Sequence, residues 1–342
     1  MDAVYDLRPA RADDFESLVA LATACADTGR VRVAPRYIRN PVEAWAALKP
    51  ELEWVVAESD AGLIGCGQVI FSTTEVEGEA HRCACLASLM VHPTYRRRGV
   101  AKALTAWRLE RAGTDAVIVA AIQTGNEGSL ANARSWATQI FGTLTFPVFR
   151  AARARSTVRD LDVREPNDDT EWEEAARGLA GFEHGWNLRT PETGVSLRER
   201  AARAFDGRRM QRYFVAVERD RVVGGFELFE GGRLQTLVFE HLPPELRVLN
   251  LAVRVVPRGG ELVQGSLSRV WYATGRDDVA RALWGYASSA AAQSCNAVGT
   301  QFDPRGPLRQ LVPVRPWTPK GQVSVAVRSP VRLSEDRLLS PP

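Results

Sequence analysis

Apolar positions in the first 150 residues fall into short strand-like runs and longer runs at helical spacing, separated by polar turns. Val4 to Pro9 reads as a strand. Ala12 to Ala24 reads as an amphipathic helix, with Asp13 and Asp14 near its positive end. Pro35 to Pro41 reads as a turn region, and Val42 to Leu48 as a helix stopped by Pro50. Trp54 to Glu58 and Leu63 to Phe71 are strands joined by the hairpin turn Ser59-Asp60-Ala61-Gly62. Thr73 to Ala80 is polar and reads as irregular. His81 to Val91 predicts a long strand, and Val100 to Ala112 a helix burying Leu104, Trp107 and Leu109. Ala116 to Ile122 is an apolar strand, Leu130 to Gln139 a helix, and Leu144 to Phe149 a closing strand. The order is mixed α/β.

The pattern then repeats. Residues 151–158 are basic and weakly patterned, which marks a linker between units at 1–150 and 159–333. Leu161-Asp162-Val163-Arg164 echoes Tyr5-Asp6-Leu7-Arg8. The segment from Val215 to Asp220 with Val223-Gly224 echoes Val56 to Asp60 with Ile64-Gly65. Val279-Ala280-Arg281-Ala282-Leu283 echoes Val100-Ala101-Lys102-Ala103-Leu104. Three echoes in one order argue for a duplicated domain, with insertions in the second copy chiefly between Gly232 and Leu267. Val323 to Val327 fits a closing hairpin, and Ser334 to Pro342 a frayed end.

Charge and cysteine usage narrow the classes. The chain has 342 residues, a net charge of +3 and 25% charged residues. That balance gives no reason to expect nucleic-acid or membrane partners. Only Lys49, Lys102 and Lys320 are lysines among 44 basic residues, so arginine clusters as such carry little information. Five cysteines show no paired framework and no metal-ligand spacing. No apolar run is long enough to span a bilayer. A cytoplasmic setting and a monomer or homodimer are expected.

The stretch Leu86 to Leu104 combines a strand, the basic turn Arg96-Arg97-Arg98-Gly99 and a helix. That arrangement aims free amides and a positive helix end at one point, which suits a phosphate. The spacing Arg96-x-x-Gly99-x-Ala101 after Val91-x-Pro93 resembles the coenzyme-A signature of the GCN5-related N-acetyltransferases, the GNAT superfamily. The resemblance covers roughly the first 150 residues. It implies two tandem GNAT-like domains, each a splayed, mostly antiparallel sheet flanked by helices. It implies that acetyl-CoA or another acyl-CoA is co-substrate, with no metal. It also implies that Leu89, Met90 and Val91 offer backbone groups to pantetheine. Arg96, Arg97, Arg98, Gly99, Val100, Ala101 and Lys102 would wrap the pyrophosphate.

In the second copy, Thr274-Gly275-Arg276-Asp277-Asp278 stands where the first has its arginines. Acids there suit capping of their own helix, worth about 0.5–2 kcal/mol, and oppose a pyrophosphate. A degenerate second domain that does not bind coenzyme A and covers the acceptor cleft is therefore expected. The family's second signature is an asparagine ahead of the last helix and a tyrosine about two turns on as general acid. Asn126 and Asn132 both fit the asparagine. Neither alignment supplies a tyrosine, and the acid position falls on Ala133 or Gln139. Glu127 is the candidate general base. Glu75, Glu77 and Glu79 are expected to face solvent. The segment Gly181 to Arg189 could line an acceptor pocket through Glu183 or His184, or be a buried structural loop. The resulting expectation is N-acyl transfer from acetyl-CoA to a small-molecule amine. Acetylation of a protein or peptide, and non-catalytic sensing of acyl-CoA, are the alternatives.

Overall fold

Side-chain caps set the ends of several elements. Pro41 opens a helix after Asn40, whose side chain accepts from the Val42 amide at 3.0 Å. Gly99 at φ +81 begins the next long helix and Gly113 at φ +81 ends it. The computed structural model describes residues 4–26, 32–153, 161–253, 256–257, 259–312, 314–316 and 318–341.

The first half runs β1 (Asp6–Pro9), α1 (Phe15–Ala24), β2 (Arg32–Tyr37), α2 (Pro41–Leu48), β3 (Leu52–Ser59) and β4 (Gly62–Val76). It continues with β5 (Glu79–Val91), α3 (Val100–Ala112), β6 (Val117–Gln123), α4 (Glu127–Arg134) and β7 (Gln139–Arg150). The second half opens with β8 (Asp162–Arg164), α5 (Asp169–Phe182), α6 (Gly194–Ala202), β9 (Ala204–Phe205) and β10 (Arg208–Arg209). Then come β11 (Gln211–Glu218), β12 (Arg221–Phe229), β13 (Gln235–His241), α7 (Pro244–Val253) and β14 (Glu261–Leu262). It closes with β15 (Gln264–Tyr272), α8 (Asp277–Ala291), β16 (Ala297–Thr300), α9 (Leu308–Leu311) and β17 (Lys320–Arg328).

Twelve strands form one mixed sheet in the order β1-β3-β4-β5-β6-β17-β7-β16-β15-β12-β11-β8. Read from its two ends, this order is the same in both halves: β1 matches β8, β3 matches β11, β4 matches β12, β5 matches β15 and β6 matches β16. Both β5–β6 and β15–β16 are parallel, among antiparallel neighbours. The two copies therefore face each other about the central pair β17–β7.

The duplication extends to side-chain detail. A Cβ on Gly65 would lie 3.0 Å from both Leu104 and Val100. A Cβ on Gly224 would lie 2.9 Å from Leu283 and 3.0 Å from Val279. In each half a bare glycine lets the helix that follows the central strand press onto the β-hairpin. Fully burying one leucine at such a contact contributes about 2–3 kcal/mol. The helices α1 and α3 take opposite faces of the first half's sheet. Leu18 and Leu21 pack with Trp54, Val56 and Cys66, whereas Val100 and Leu104 pack with Val55, Ala57 and Ile64.

Several local expectations are corrected. The turn region expected from Pro35 to Pro41 instead begins inside β2, which runs to Tyr37 and pairs with β13 of the second half so that its backbone groups are satisfied, and ends at Pro41, where α2 starts. The polar segment from Thr73 to Ala80 is the tip of a hairpin, with Glu77 at φ +53 and Gly78 at φ +95 supplying the turn. Glu75 and Glu77 are not solvated: Glu75 holds Arg189 at 2.7 Å, and Glu77 accepts from Asn187 and from the Ser334 amide. The C-terminal segment is not frayed, since Leu333, Leu339 and Ser340 are buried and the Ser340 amide donates to Asn187. The closing strand β17 does pair, but in the first half's sheet between β6 and β7. Conversely β7 pairs with β16. A cut at the linker therefore divides the chain but not the sheet. Residues 154–158 of that linker lie outside the described residues.

Candidate functional site

The site begins where two strands part. β5 and β6 pair only at Cys83–Cys85 with Val117–Val119, although β5 continues to Val91 and β6 to Gln123. On β5, Ser88 and Leu89 stand opposite Gly67 alone on β4, and Ser88 has φ +49. This bulge turns the strand away from its neighbour. The gap opens into a cleft of about 260 Å³, walled by residues 86–89 and 120–123. Arg108 of α3 and residues 126, 129, 132, 133 and 136 complete the lining.

At one end of α3 lies the basic turn. Arg97 has φ +61 and Gly99 φ +81. Gly99 caps nothing with a side chain, so the first amides of α3 are open. Arg96 Nε donates to the Val91 carbonyl at 3.2 Å, and the Arg98 guanidinium lies 5.6 Å from the centre of the Tyr95 ring. Arg96, Arg97, Arg98 and Lys102 are exposed, and none is ion-paired among the described residues. Val100 is fully buried against Gly65, and Ala101 is partly buried. The buried Val100 fixes the turn while its cations stay exposed. His92 bonds Thr94 within the same turn at 2.8 Å.

Leu89 lines the cleft, whereas Met90 and Val91 pair back onto Cys66 and Gly65 of β4. Asn126 opens α4, its side chain accepting from the Ser129 amide at 3.0 Å. Two turns on, the tyrosine position implied by the sequence resemblance is Ala133, buried and lining the cleft. Gln139 is elsewhere, with its amide bonded twice to the Leu333 backbone. Asn132 also lines the cleft and donates to Thr105 Oγ1 at 2.9 Å. Glu127 is exposed in the first turn of α4 and does not line the cleft.

Sequence reasoning missed Arg108. It is 2% exposed and hydrogen-bonded to the carbonyls of Leu104, Gln68 and Ala87 and to Thr105 Oγ1. Burial pulls its pKa down to about 10, so it stays charged at neutral pH. The signal was present: Val100, Leu104, Arg108 and Ala112 form one i, i+4 stripe, and every member is buried. A cation in an apolar stripe is the feature that pointed to it.

The same places in the second half are occupied. Asp277 and Asp278 open the first turn of α8, as expected, but the N-cap itself is Arg276. It binds Glu218 at 2.9 Å and Asp278 at 2.9 Å, and this pairing pulls the Asp278 carboxyl down to about 2. Past Leu267 and Thr300, where β15 and β16 stop pairing, Phe302, Leu308 and Leu311 pack against Tyr272 and Leu283. The hydroxyl of Tyr272 donates to the Pro307 carbonyl at 3.2 Å.

The segment Gly181 to Arg189 lies in the seam between the halves. Trp186, Asn187 and Leu188 are buried, and His184 is exposed. Burial raises the Glu183 carboxyl to about 7, against the Ser340 hydrogen bond and the charges of Arg269 and Arg189. The folded state thus holds a proton there that the unfolded chain has released. Stability from this group is complete below about pH 4.5 and is lost as pH rises towards 7. Glu183→Gln is expected to raise stability at pH 8 by about 1–3 kcal/mol and to match the parent below pH 4.5. Thermal unfolding across that range measures it, and an equal effect at both pH values would refute the assignment.

Burial also pushes the thiols up, Cys66 and Cys83 each to about 12, so neither is a ready nucleophile. Among the described residues, no cluster of three metal-ligating side chains occurs, and no helix is long and apolar enough to cross a membrane.

Comparison with known proteins agrees with this geometry. Residues 16–135 match the model of the Acetyltransferase (GNAT) family. No curated protein matches the chain by sequence. Among solved structures, N-myristoyltransferase from Saccharomyces cerevisiae with bound myristoyl-CoA is similar over 95% of this chain and 83% of its own. The identity is 11% and the TM-score 0.64. A GCN5-related N-acetyltransferase from Sphaerobacter thermophilus is similar over 97% of this chain and 98% of its own, with 14% identity and a TM-score of 0.59. One from Kribbella flavida covers 94% and 71%, with 17% identity and a TM-score of 0.51. Residues 16–135 of this chain thus carry the GNAT acetyltransferase signature, and the whole chain shares the fold of these acyltransferase structures.

Proposed function

We propose that this GNAT-type acyltransferase moves an acetyl group from acetyl-CoA to the amine of a small-molecule acceptor in the cytoplasm. The observation that carries the reading is the parting of β5 and β6 beside a turn whose cations form no ion pair among the described residues. Acyl-CoA is held there by the first half alone: the pyrophosphate by residues 96–102 and the pantetheine arm along Leu89, Met90 and Val91. Asn126 shapes the cleft by fixing the start of α4, and Asn132 by anchoring Thr105. The thioester supplies an activated acyl group, so the protein's task is to hold it, exclude water and admit an amine.

The second half serves as a cover. Its own phosphate position is neutralised by Glu218 and Asp278, and Phe302 and Leu308, beyond the end of its parallel strand pair, are buried in its apolar core. It is tied to the first half near the α2 side of the sheet. Arg203 donates to the Leu48 carbonyl at 3.0 Å, and Arg189 to Glu75 at 2.7 Å. A closed seam on that face favours a compact acceptor over an extended polypeptide.

Calorimetry is expected to find one coenzyme A per chain, and thiol release from acetyl-CoA is expected to accelerate with a panel of small amines. Two bound molecules per chain would defeat the asymmetry. Turnover confined to peptides would defeat the small acceptor.

A further inference from the structure

We infer that Arg108 is a catalytic residue, whose guanidinium stabilises the sulfur anion released when the acyl–sulfur bond of the bound thioester breaks. This rests on the cleft being the acyl-CoA site.

Among the described residues, Arg108 is a buried cation without a buried counter-anion. Its four hydrogen bonds go to three carbonyls and a hydroxyl. A guanidinium has five N–H groups, so one on Nη2 has no protein partner among the described residues. The titratable groups that act on it are Cys66 on β4 and Cys85 on β5, both pushed towards the protonated thiol by burial. Burying a cation on these terms is costly unless an anion arrives to meet it.

The fold makes room for it deliberately. A Cβ on Gly67 would lie 3.1 Å from Arg108 Nε. At the matching places of the second half stand Phe226 and Ala287, both in the apolar core, with Phe226 stacked on Phe214 at 5.2 Å. The duplicated architecture thus packs perfectly well without this charge. It is retained in the half that has the open cleft.

Its place fits the leaving sulfur. Eight residues of α3 separate Val100, beside the phosphate turn, from Arg108, a rise of about 12 Å. An extended pantetheine arm spans a comparable distance. Both Arg108 and α4 lie on the α3 face of the sheet, opposite α1 and α2. Apart from Arg108, the cleft lining holds no ionisable side chain, and Ala133 occupies the position of a tyrosine acid.

The step balances simply. The amine lone pair forms the C–N bond, the C–S bond breaks with its electron pair on sulfur, and the ammonium proton passes to solvent. The guanidinium keeps its protons and pairs with the thiolate, which takes a proton from water on release. The products are an amide and free thiol.

The test reads the thiol itself. Coenzyme A bound to the protein is titrated by its thiolate ultraviolet absorbance. In the parent protein the bound thiol is expected to ionise about one pH unit or more below free coenzyme A. Arg108→Lys is expected to keep part of that shift, and Arg108→Met to abolish it. The double variant G67F/R108A, which copies the Phe226 and Ala287 arrangement, carries the test should Arg108→Met fail to fold. With acetyl-CoA, kcat should fall about tenfold in the uncharged variants with KM unchanged. An unshifted thiol in the parent, or the same shift in the uncharged variants, overturns the role of Arg108. Failure of the parent to bind coenzyme A at all overturns the cleft reading instead, and the proposal with it.

Discussion

Gly99→Glu is expected to weaken acyl-CoA binding at least ~100-fold, a loss of about 2.7 kcal/mol, whereas Gly275→Glu should leave it unchanged. The two positions are well matched as controls. Gly99 has φ +81 and Gly275 φ +77, and a Cβ at either would meet no protein atom within 4 Å. Both substitutions therefore carry a similar left-handed backbone cost of about 1–2 kcal/mol. They differ in what lies above them. At Gly99 a carboxylate would sit among Arg96, Arg97 and Arg98, occupying the phosphate position and neutralising its field. At Gly275 it would join a turn whose arginine is already paired with Glu218 and Asp278. Isothermal titration with coenzyme A on both variants decides the matter. Equal losses would mean that both turns hold nucleotide, and two unchanged affinities would remove the phosphate role from residues 96–102.

A fragment of residues 1–150 is expected not to fold, despite containing every element of the first half. Its β6 and β7 are not neighbours: β17 lies between them, pairing with β7 from Lys320 to Val327 and with β6 from Val323 to Arg328. Val325 and Val327 are fully buried in the core that also contains Val117, Val119, Phe141 and Leu144. Without that strand, the fragment would present two apolar edges, a geometry prone to aggregation. Soluble yield and circular dichroism of the fragment measure this. Co-expression with a segment spanning 318–330 is expected to recover part of the soluble material. A monomeric, cooperatively folding fragment would show that the exchanged strand is dispensable.

Much of the site was legible because it is local. The strand to Val91, the turn at Arg96 to Gly99 and the helix from Val100 lie within about twenty residues, and positive φ at Gly99 is what a glycine before a helix suggests. The echo of Gly65 in Gly224 was equally visible, since both mark the same close approach of a helix to a hairpin. The choice between Asn126 and Asn132 was not, because either spacing suits a helix start and only the placement of α4 shows that Asn126 opens the helix while both line the cleft. Glu75 and Glu77 looked solvated because polarity alone says nothing of a partner such as Arg189 or Asn187 more than a hundred positions away.

The sequence by itself determined most of the elements, the duplication and the charge difference between the two turns, since each follows from periodicity or from neighbours a few residues apart. Tertiary structure alone decided that β7 and β17 change places, that Phe302 and Leu308 join the second half's apolar core, and that Arg108 faces a cleft. Backbone pairing is chemically alike on every strand, so the partner a strand takes is selected by the burial of distant side chains. That selection leaves no mark in the local pattern.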